Sequence, residues 1–185
     1  MTLEALFIVV VVSLLIVVLV PKQLPWRRRL KIRNAKRIHK KILALGSEHP
    51  GKAIQYLRKI DAYTFEELAI IALNKHGYNA YKDRGYSHDG GIDGKLLENG
   101  DLWIIQCKRY KGTVSNQVLQ ELVNAKDRFR ASGGLLIHTG KSTKRLHSDG
   151  KKYKIYVVSG SRLLKLINSP GRDIKDPVPI NRFFE

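Results

Sequence analysis

Two short stretches decide the fold: Gly-Gly-Ile-Asp-Gly at residues 90–94 and Ile-Ile-Gln-Cys-Lys at residues 104–108. Between them stands the dipeptide Asn99-Gly100. Asn-Gly between two apolar runs is the strongest short-range signal for a hairpin with a two-residue loop. The sequence therefore predicts two antiparallel strands joined at this turn.

The same turn fixes which residues face each other across the hairpin. A two-residue loop pairs Glu98 with Asp101, so Asp93 is expected opposite Gln106, each being five residues from the turn pair. Directly opposed residues share a face of the sheet, with Cβ atoms about 5 Å apart. Lys108 points the same way by strand alternation. A carboxylate, an amide oxygen and an ammonium group are therefore expected on one patch of sheet.

Such a patch has two interpretations. A hard cation such as Mg²⁺ takes oxygen ligands at about 2.1 Å and keeps several waters, so few protein oxygens suffice to hold it. A neighbouring lysine can orient a water and stabilise charge that builds on a phosphate. The alternative is a polar cluster on an exposed sheet face, and spacing alone leaves both interpretations open.

Helix signals precede the hairpin. Pro50 suits the first turn of a short helix over residues 50–60. Thr64 and Glu67 have the spacing of a capping box, with Thr64 as N-cap. The pattern predicts a second helix from there until Gly77.

The rest of the chain completes an α/β pattern. Residues 78–91 are expected to form an aromatic and glycine-rich loop, and a helix with an apolar face is expected from Ser115. Buried strands are predicted at residues 134–139 and 154–159, and a closing helix at 161–168. This order predicts a mixed β-sheet flanked by helices.

The motifs together resemble a known family. Residues 90–94 and 104–110, preceded by Phe-Glu-Glu-Leu at 65–68, are similar to the Mrr-type restriction endonuclease domain of the PD-(D/E)xK nuclease superfamily. The resemblance covers about residues 60–168. It implies a restriction-endonuclease-like fold and hydrolysis of DNA phosphodiester bonds.

The resemblance also implies roles for individual residues. Asp93 corresponds to the main metal ligand, and Gln106 stands where a second acid is usual. Lys108 corresponds to the catalytic lysine and Glu66 to a helix-borne acid near the metal, while Gln120 is a possible auxiliary residue. The implied cofactor is Mg²⁺, with Mn²⁺ as a possible substitute.

The charge of the chain indicates its partners. With 34 basic and 16 acidic residues, the net charge is +18, which suits a polyanion such as DNA or an anionic membrane face. A single cysteine excludes an intramolecular disulfide framework. Five basic residues flank the predicted site and are candidates for binding DNA phosphates: Arg109, Lys111, Lys141, Lys144 and Arg145.

The N-terminal part predicts a membrane anchor. Residues 5–20 are uncharged, and as a helix they reach roughly 24 Å. Residues 22–45 then contain ten basic and no acidic side chains, which by the positive-inside rule places the N-terminus outside. The expected location is therefore the inner (cell) membrane of a bacterium, crossed once, with the following domain in the cytoplasm.

Four segments follow from these boundaries: a transmembrane anchor at 1–21, a basic juxtamembrane helix or linker at 22–46, the nuclease-like domain at 47–170, and a C-terminal tail at 171–185. The basic segment carries an apolar stripe at 3-4-3 spacing, which suits either anionic headgroups or packing on the domain. The stripe consists of Ala35, Ile38, Ile42 and Leu45.

The leading hypothesis is a membrane-tethered, metal-dependent deoxyribonuclease acting in restriction of, or defence against, foreign DNA. One alternative is a non-catalytic protein that tethers DNA to the membrane. Another is a structure-specific nuclease resembling a junction resolvase. The sequence leaves the oligomeric state open, with a dimer possible.

Overall fold

The computed structural model describes most of the chain. Contacts divide the chain into two units, Met1–Leu30 and Lys31–Glu185. No helix within the described residues is both long and apolar enough to cross a membrane. Residues 5–20, where an anchor is predicted, lie outside the described residues, as does most of the predicted tail. The described ranges are 26–46, 48–82, 92–168 and 179–184.

Seven helices and five strands make up the described part of the chain. In chain order they are α1 (Trp26–Gly46), α2 (Pro50–Lys59), α3 (Ala62–Lys75), β1 (Asn79–Lys82), β2 (Gly94–Glu98), β3 (Asp101–Lys108), α4 (Asn116–Arg128), β4 (Gly133–His138), α5 (Lys144–Lys152), β5 (Ile155–Val158), α6 (Gly160–Asn168) and α7 (Ile180–Phe184).

The five strands form one mixed sheet in the order β1-β2-β3-β4-β5. Strands β1, β2 and β3 pair antiparallel, whereas β3, β4 and β5 pair parallel. The carboxyl ends of β1, β3, β4 and β5 therefore lie at one edge of the sheet, together with the amino end of β2. We call this the carboxyl edge. The mixed sheet flanked by helices is confirmed.

The predicted hairpin is confirmed down to its register. Glu98 pairs with Asp101, and the ladder runs back to Gly94 opposite Ile105. The two turn residues have positive φ values, 50° at Asn99 and 88° at Gly100. A type I′ turn requires positive φ at both central positions, which Asn-Gly adopts at low cost.

Two hydrophobic cores lie on opposite faces of the sheet. The first is formed by α1, α2, α3, α6 and α7 against residues such as Ile105, and the second by α4 and α5 against residues such as Ile104. The α1 stripe belongs to the first core, where Ala35 and Ile42 are fully buried. Of the two placements that the sequence left open for this stripe, the structure has packing on the domain.

The predicted capping box at Thr64 is wrong. The N-cap of α3 is Asp61, whose carboxylate accepts a hydrogen bond from the Thr64 N–H at 3.1 Å. Asp61 has extended backbone angles and an acceptor of its own, so the helix begins three residues earlier than predicted. Glu67 consequently lies inside the helix and is buried.

Three elements were not predicted, because each lacks a clear hydrophobic period. Strand β1 has the short sequence Asn-Ala-Tyr-Lys within a predicted loop. Helix α5 has only two buried residues, Leu146 and Gly150. Helix α7 has five residues and lies in the segment predicted as a tail.

Replacing the α3 cap tests this account of the helix start. Asp61→Ala removes the acceptor for the Thr64 N–H and an exposed ion pair with Lys31. We expect the free energy of unfolding to fall by about 1 kcal/mol in urea titrations. Asp61→Asn keeps an acceptor for the Thr64 N–H but loses the ion pair and the carboxylate oxygen that accepts from the Thr64 hydroxyl at 2.5 Å, so its free energy of unfolding should fall less. Equal losses in both variants would mean that the ion pair, not the cap, stabilises the helix start.

Candidate active site

Four charged residues meet at the carboxyl edge of the sheet. Lys82 ends β1 and pairs with Gly94, the residue that follows Asp93. Lys108 ends β3, and Glu66 lies on α3, which packs against that part of the sheet. The ends of β1 and β3, the residue before β2 and one helix thus bring Lys82, Lys108, Asp93 and Glu66 to one part of this edge, which we call the acidic site.

Asp93 leaves the regular ladder at its last rung. Its N–H donates to the Ile105 carbonyl at 2.8 Å, and its carboxylate Oδ2 accepts the Cys107 N–H at 2.6 Å. The predicted pairing of Asp93 with Gln106 is therefore wrong, because the β2–β3 ladder ends at the pair Gly94–Ile105. A side chain, rather than a carbonyl, satisfies the next N–H of β3. The second carboxylate oxygen, Oδ1, has no hydrogen-bond partner among the described residues.

Glu66 is nearly buried and held by a lysine. Its Oε2 lies 2.6 Å from the Lys82 ammonium, and that ammonium is 4.0 Å from Oε1 of Glu67. The sequence did not single out Lys82, because the strand that carries it looks like part of a loop. Ala80 is the one buried residue of β1, so hydrophobic periodicity gives no signal for this strand or for Lys82 at its end.

Burial makes both carboxylates reluctant to ionise. Burial raises the pKa of Asp93, although the Cys107 hydrogen bond, Lys108 and Lys82 oppose the rise. Burial also raises the pKa of Glu66, and the charge of Asp93 adds to that rise while Lys82 opposes it. The two negative charges therefore lie close enough to repel each other, and a cation placed between them would relieve both costs.

The thiol of Cys107 lies in the negative potential of Asp93 and Glu66. Burial raises the pKa of this thiol, and the charges of Asp93 and Glu66 raise it further. Cys107 packs against the first core, as the alternation of β3 predicts. A buried thiol with a raised pKa is a poor nucleophile, so the chemistry of this site belongs to its oxygen and ammonium groups.

Gln106 and Lys108 lie on the other face of β3. Alternation places both on the face of Ile104, which packs in the second core. Gln106 is 3% exposed, and the structure records no hydrogen bond to its Oε1 atom, although the residue makes another contact. Lys108 is half-buried and forms no ion pair within the described part of the chain, yet its charge lowers the pKa of Asp93.

The donor set fits a hard divalent cation. The described residues contain no group of three His, Cys, Asp or Glu side chains that could hold a metal. The two carboxylates offer only oxygen, which suits an ion that keeps several waters. Asp93 and Glu66 would hold such an ion, whereas Gln106, predicted as a third ligand, lies on the other face of β3.

Of the five residues predicted to bind DNA, two contact other parts of the protein and three are exposed. Arg109 donates to the carbonyls of Arg58 and Ile60, so it closes the carboxyl end of α2. Arg145 lies 3.5 Å from Asp149. Lys111, Lys141 and Lys144 are exposed.

Gln120, the possible auxiliary residue, lies on the exposed side of α4. Its amide donates to Asn124 at 3.1 Å. It therefore lies on the side of α4 that faces away from the second core.

Comparisons with known proteins identify the family of this domain and its fold. The Mrr_cat family, described as restriction endonuclease, matches residues 57–167. A solved structure, MspJI restriction endonuclease in complex with a 27-mer oligonucleotide, is similar with a TM-score of 0.50 and 19% identity. The similarity covers 69% of this chain and 33% of that one, so this chain corresponds to about a third of MspJI. No curated protein matches.

The family match spans the helix that carries Glu66, the hairpin that carries Asp93 and Lys108, and the strands up to α6. The solved structure supports the same fold. The chain therefore belongs to the Mrr_cat restriction endonuclease family.

Proposed function

We propose that this protein is a metal-dependent endodeoxyribonuclease that restricts foreign DNA. One observation carries the proposal: a restriction endonuclease domain holds Asp93 within electrostatic reach of both Glu66 and Lys108 at the carboxyl edge of its sheet. Carboxylates beside a lysine at such an edge suit hydrolysis of a phosphodiester.

The cofactor in this proposal is Mg²⁺, or Mn²⁺ in its place. Bound at Asp93 and Glu66, it would polarise the phosphoryl group and lower the pKa of a water. Asp93 is suited to hold it, because Cys107 fixes one carboxylate oxygen and the other has no hydrogen-bond partner in the described chain.

The lysines divide the remaining work. Lys108, with no ion pair among the described residues, is available to donate to a phosphate oxygen as negative charge builds there. Lys82 is already bound to Glu66, so it positions that carboxylate and offsets its charge. Lys82 is therefore a positioning residue in this proposal, and Lys108 is the one that contacts substrate.

We also propose that residues 5–20 anchor the protein in a bacterial cell membrane, N-terminus out, with the nuclease domain in the cytoplasm. The support is the uncharged run followed by ten basic residues.

Cell fractionation tests the anchor. Full-length protein should pellet with membranes and resist extraction with about 1 M salt, because salt screens charge but does not weaken apolar insertion. A variant without residues 1–21 keeps the polybasic segment, so salt should release it. Release of the intact protein by salt alone would refute the anchor.

Cleavage of labelled duplex DNA by the full-length protein tests the nuclease. Asp93→Asn should abolish cleavage with Mg²⁺ and with Mn²⁺, and Lys108→Ala should slow it by about 10²–10³-fold, the usual cost of removing one charge stabiliser. Asp127→Asn removes an exposed carboxylate elsewhere and should cut normally.

DNA binding, measured beside cleavage, separates the enzyme from a tether. Asp93→Asn should bind DNA at least as well as the wild type, since a negative charge near the phosphates is lost. If the wild type binds DNA but cuts none with either cation, and Asp93→Asn behaves identically, the protein is a tether and not a nuclease.

A further inference from the structure

A second concave site lies on the same carboxyl edge, beyond the ends of β4 and β5. This cleft is bounded by α2, by the loop before α5 and by the start of α6. Basic and hydroxyl side chains dominate its polar lining, and none of the described residues that line it is a carboxylate. Its charged and hydroxyl-bearing lining includes Arg58, Lys141, Ser142, His147, Ser159 and Arg162. We call it the basic cleft.

Two guanidinium groups are fixed in its walls. Arg58 donates from Nε and Nη2 to the Thr139 carbonyl at 3.0 and 2.9 Å, so the plane of its guanidinium group is held against the end of β4. Arg162 lies with Nη1 3.3 Å from Nδ1 of His147. A guanidinium group held in one orientation loses less entropy when it binds an anion.

A row of hydrogen bonds orients the hydroxyl groups. The Gly140 N–H donates to Nδ1 of His138 at 3.1 Å, so the proton of this neutral ring is on Nε2. Nε2 therefore donates to the Ser142 hydroxyl, 3.1 Å away, and the Ser142 and Ser159 hydroxyls share a hydrogen bond at 2.6 Å. That bond uses one of the two hydroxyl protons, so the serine pair keeps the other proton to donate to another group.

The ring that starts this row does not change charge near neutral pH. His138 is fully buried, and burial, with the charge of His147, lowers its pKa to about 4. The tautomer that orients the two serines therefore persists over the physiological range, and the row ends in a donor.

The potential in the cleft is positive. Lys141 is exposed and forms no ion pair with any described residue. Burial lowers the pKa of His147, and the charges of Arg162 and Lys151 lower it further. With fixed guanidinium groups, the exposed Lys141 ammonium and a hydroxyl donor, the cleft matches the acceptors and the charge of a phosphate.

The cleft lies next to the acidic site along the sheet. Lys108 is in register with His138, and the Thr139 N–H donates to the Lys108 carbonyl at 3.2 Å. Neighbouring strands are about 4.8 Å apart, so β5 lies roughly 10 Å from β3. At about 3.4 Å per base pair, that separation corresponds to roughly three steps along DNA.

We propose that the basic cleft binds a backbone phosphate of the DNA substrate a few nucleotides from the bond that is cut, and so sets where the strand enters the acidic site. The proposal rests on the proposed nuclease function for its substrate. The phosphate contact holds the strand at one fixed distance from Asp93, through a site separate from the metal ligands.

The test is the salt dependence of binding between full-length protein and a duplex of about 20 base pairs, followed by fluorescence anisotropy in EDTA. Lys141→Ala and Arg162→Ala should each weaken binding by three- to tenfold at low salt and reduce the slope of log K against log[salt] by about one. Ser159→Ala should weaken binding without changing the slope, because it removes a donor and no charge.

Lys40→Ala is the matched control, since it removes one exposed positive charge from α1 and should leave the slope unchanged. Lys141 is exposed, so its variant keeps the fold even if Arg162→Ala lowers the thermal midpoint. Unchanged slopes in both cleft variants would overturn the proposal. A competing deoxynucleoside monophosphate that binds the cleft while those slopes stay unchanged would also overturn it, in favour of a small phosphate ligand.

These binding measurements involve no cutting, so a failure of the nuclease proposal leaves them interpretable. Under the same proposal, Lys141→Ala should spread the cut positions on an end-labelled duplex in Mg²⁺, whereas Lys40→Ala should keep them. If the salt slopes of the cleft variants fall as expected but neither the wild type nor any variant cuts DNA, the cleft binds DNA and only the proposed nuclease function is wrong. Unchanged cut positions in Lys141→Ala would remove the positioning role.

Discussion

The carboxylate of Asp93 bound to the N–H of Cys107 is the contact on which the functional edge depends. It lies where the β2–β3 ladder stops, and it replaces a backbone pair with a side chain at 2.6 Å. The carboxylate is thereby fixed to the end of β3, beside Lys108, and faces the helix that carries Glu66. An acid placed by a strand backbone in this way needs no further side chain to orient it.

The rest of the edge follows from the order of the strands. Antiparallel β1 and β2 bring Lys82 beside the amino end of β2, and parallel β3, β4 and β5 end side by side. The carboxylates of Asp93 and Glu66 therefore lie with Lys82 and Lys108 near the β2–β3 junction, whereas the charged groups of the cleft beyond β4 and β5 are basic. In open sheets of this kind, ligands bind outside the carboxyl ends of the strands. A polyanion that lies along this edge would meet the positive side chains of the basic cleft and the carboxylate pair of Asp93 and Glu66.

Local rules predicted part of this site. The dipeptide Asn99-Gly100 predicted the hairpin register, and the family motif indicated Asp93. Both signals consist of residues that are adjacent in the chain, so they can be recognised without knowledge of the fold. The Asp93–Gln106 pairing failed because the ladder ends one residue before it, which depends on how a carboxylate competes for an N–H. The Asp61 cap was missed because Asp61 and Thr64, three residues apart, both have side chains that can cap a helix. Lys82 and the basic cleft arise from contacts between distant segments, which periodicity does not encode.

The most direct measurement is the thermal unfolding of full-length protein and Asp93→Asn, in EDTA and with Mg²⁺ or Mn²⁺. Burial raises the pKa of Asp93, so its ionised form destabilises the fold, and in EDTA at pH 7 the variant should unfold at the higher temperature. That advantage should vanish as the pH falls below about 3.9, where the wild-type carboxyl is also neutral. At ten times its Kd, the cation should stabilise the wild type by about 1.4 kcal/mol and leave Asp93→Asn unchanged. A wild-type midpoint that neither cation moves, or an equal shift in the variant, would contradict a cation site at Asp93.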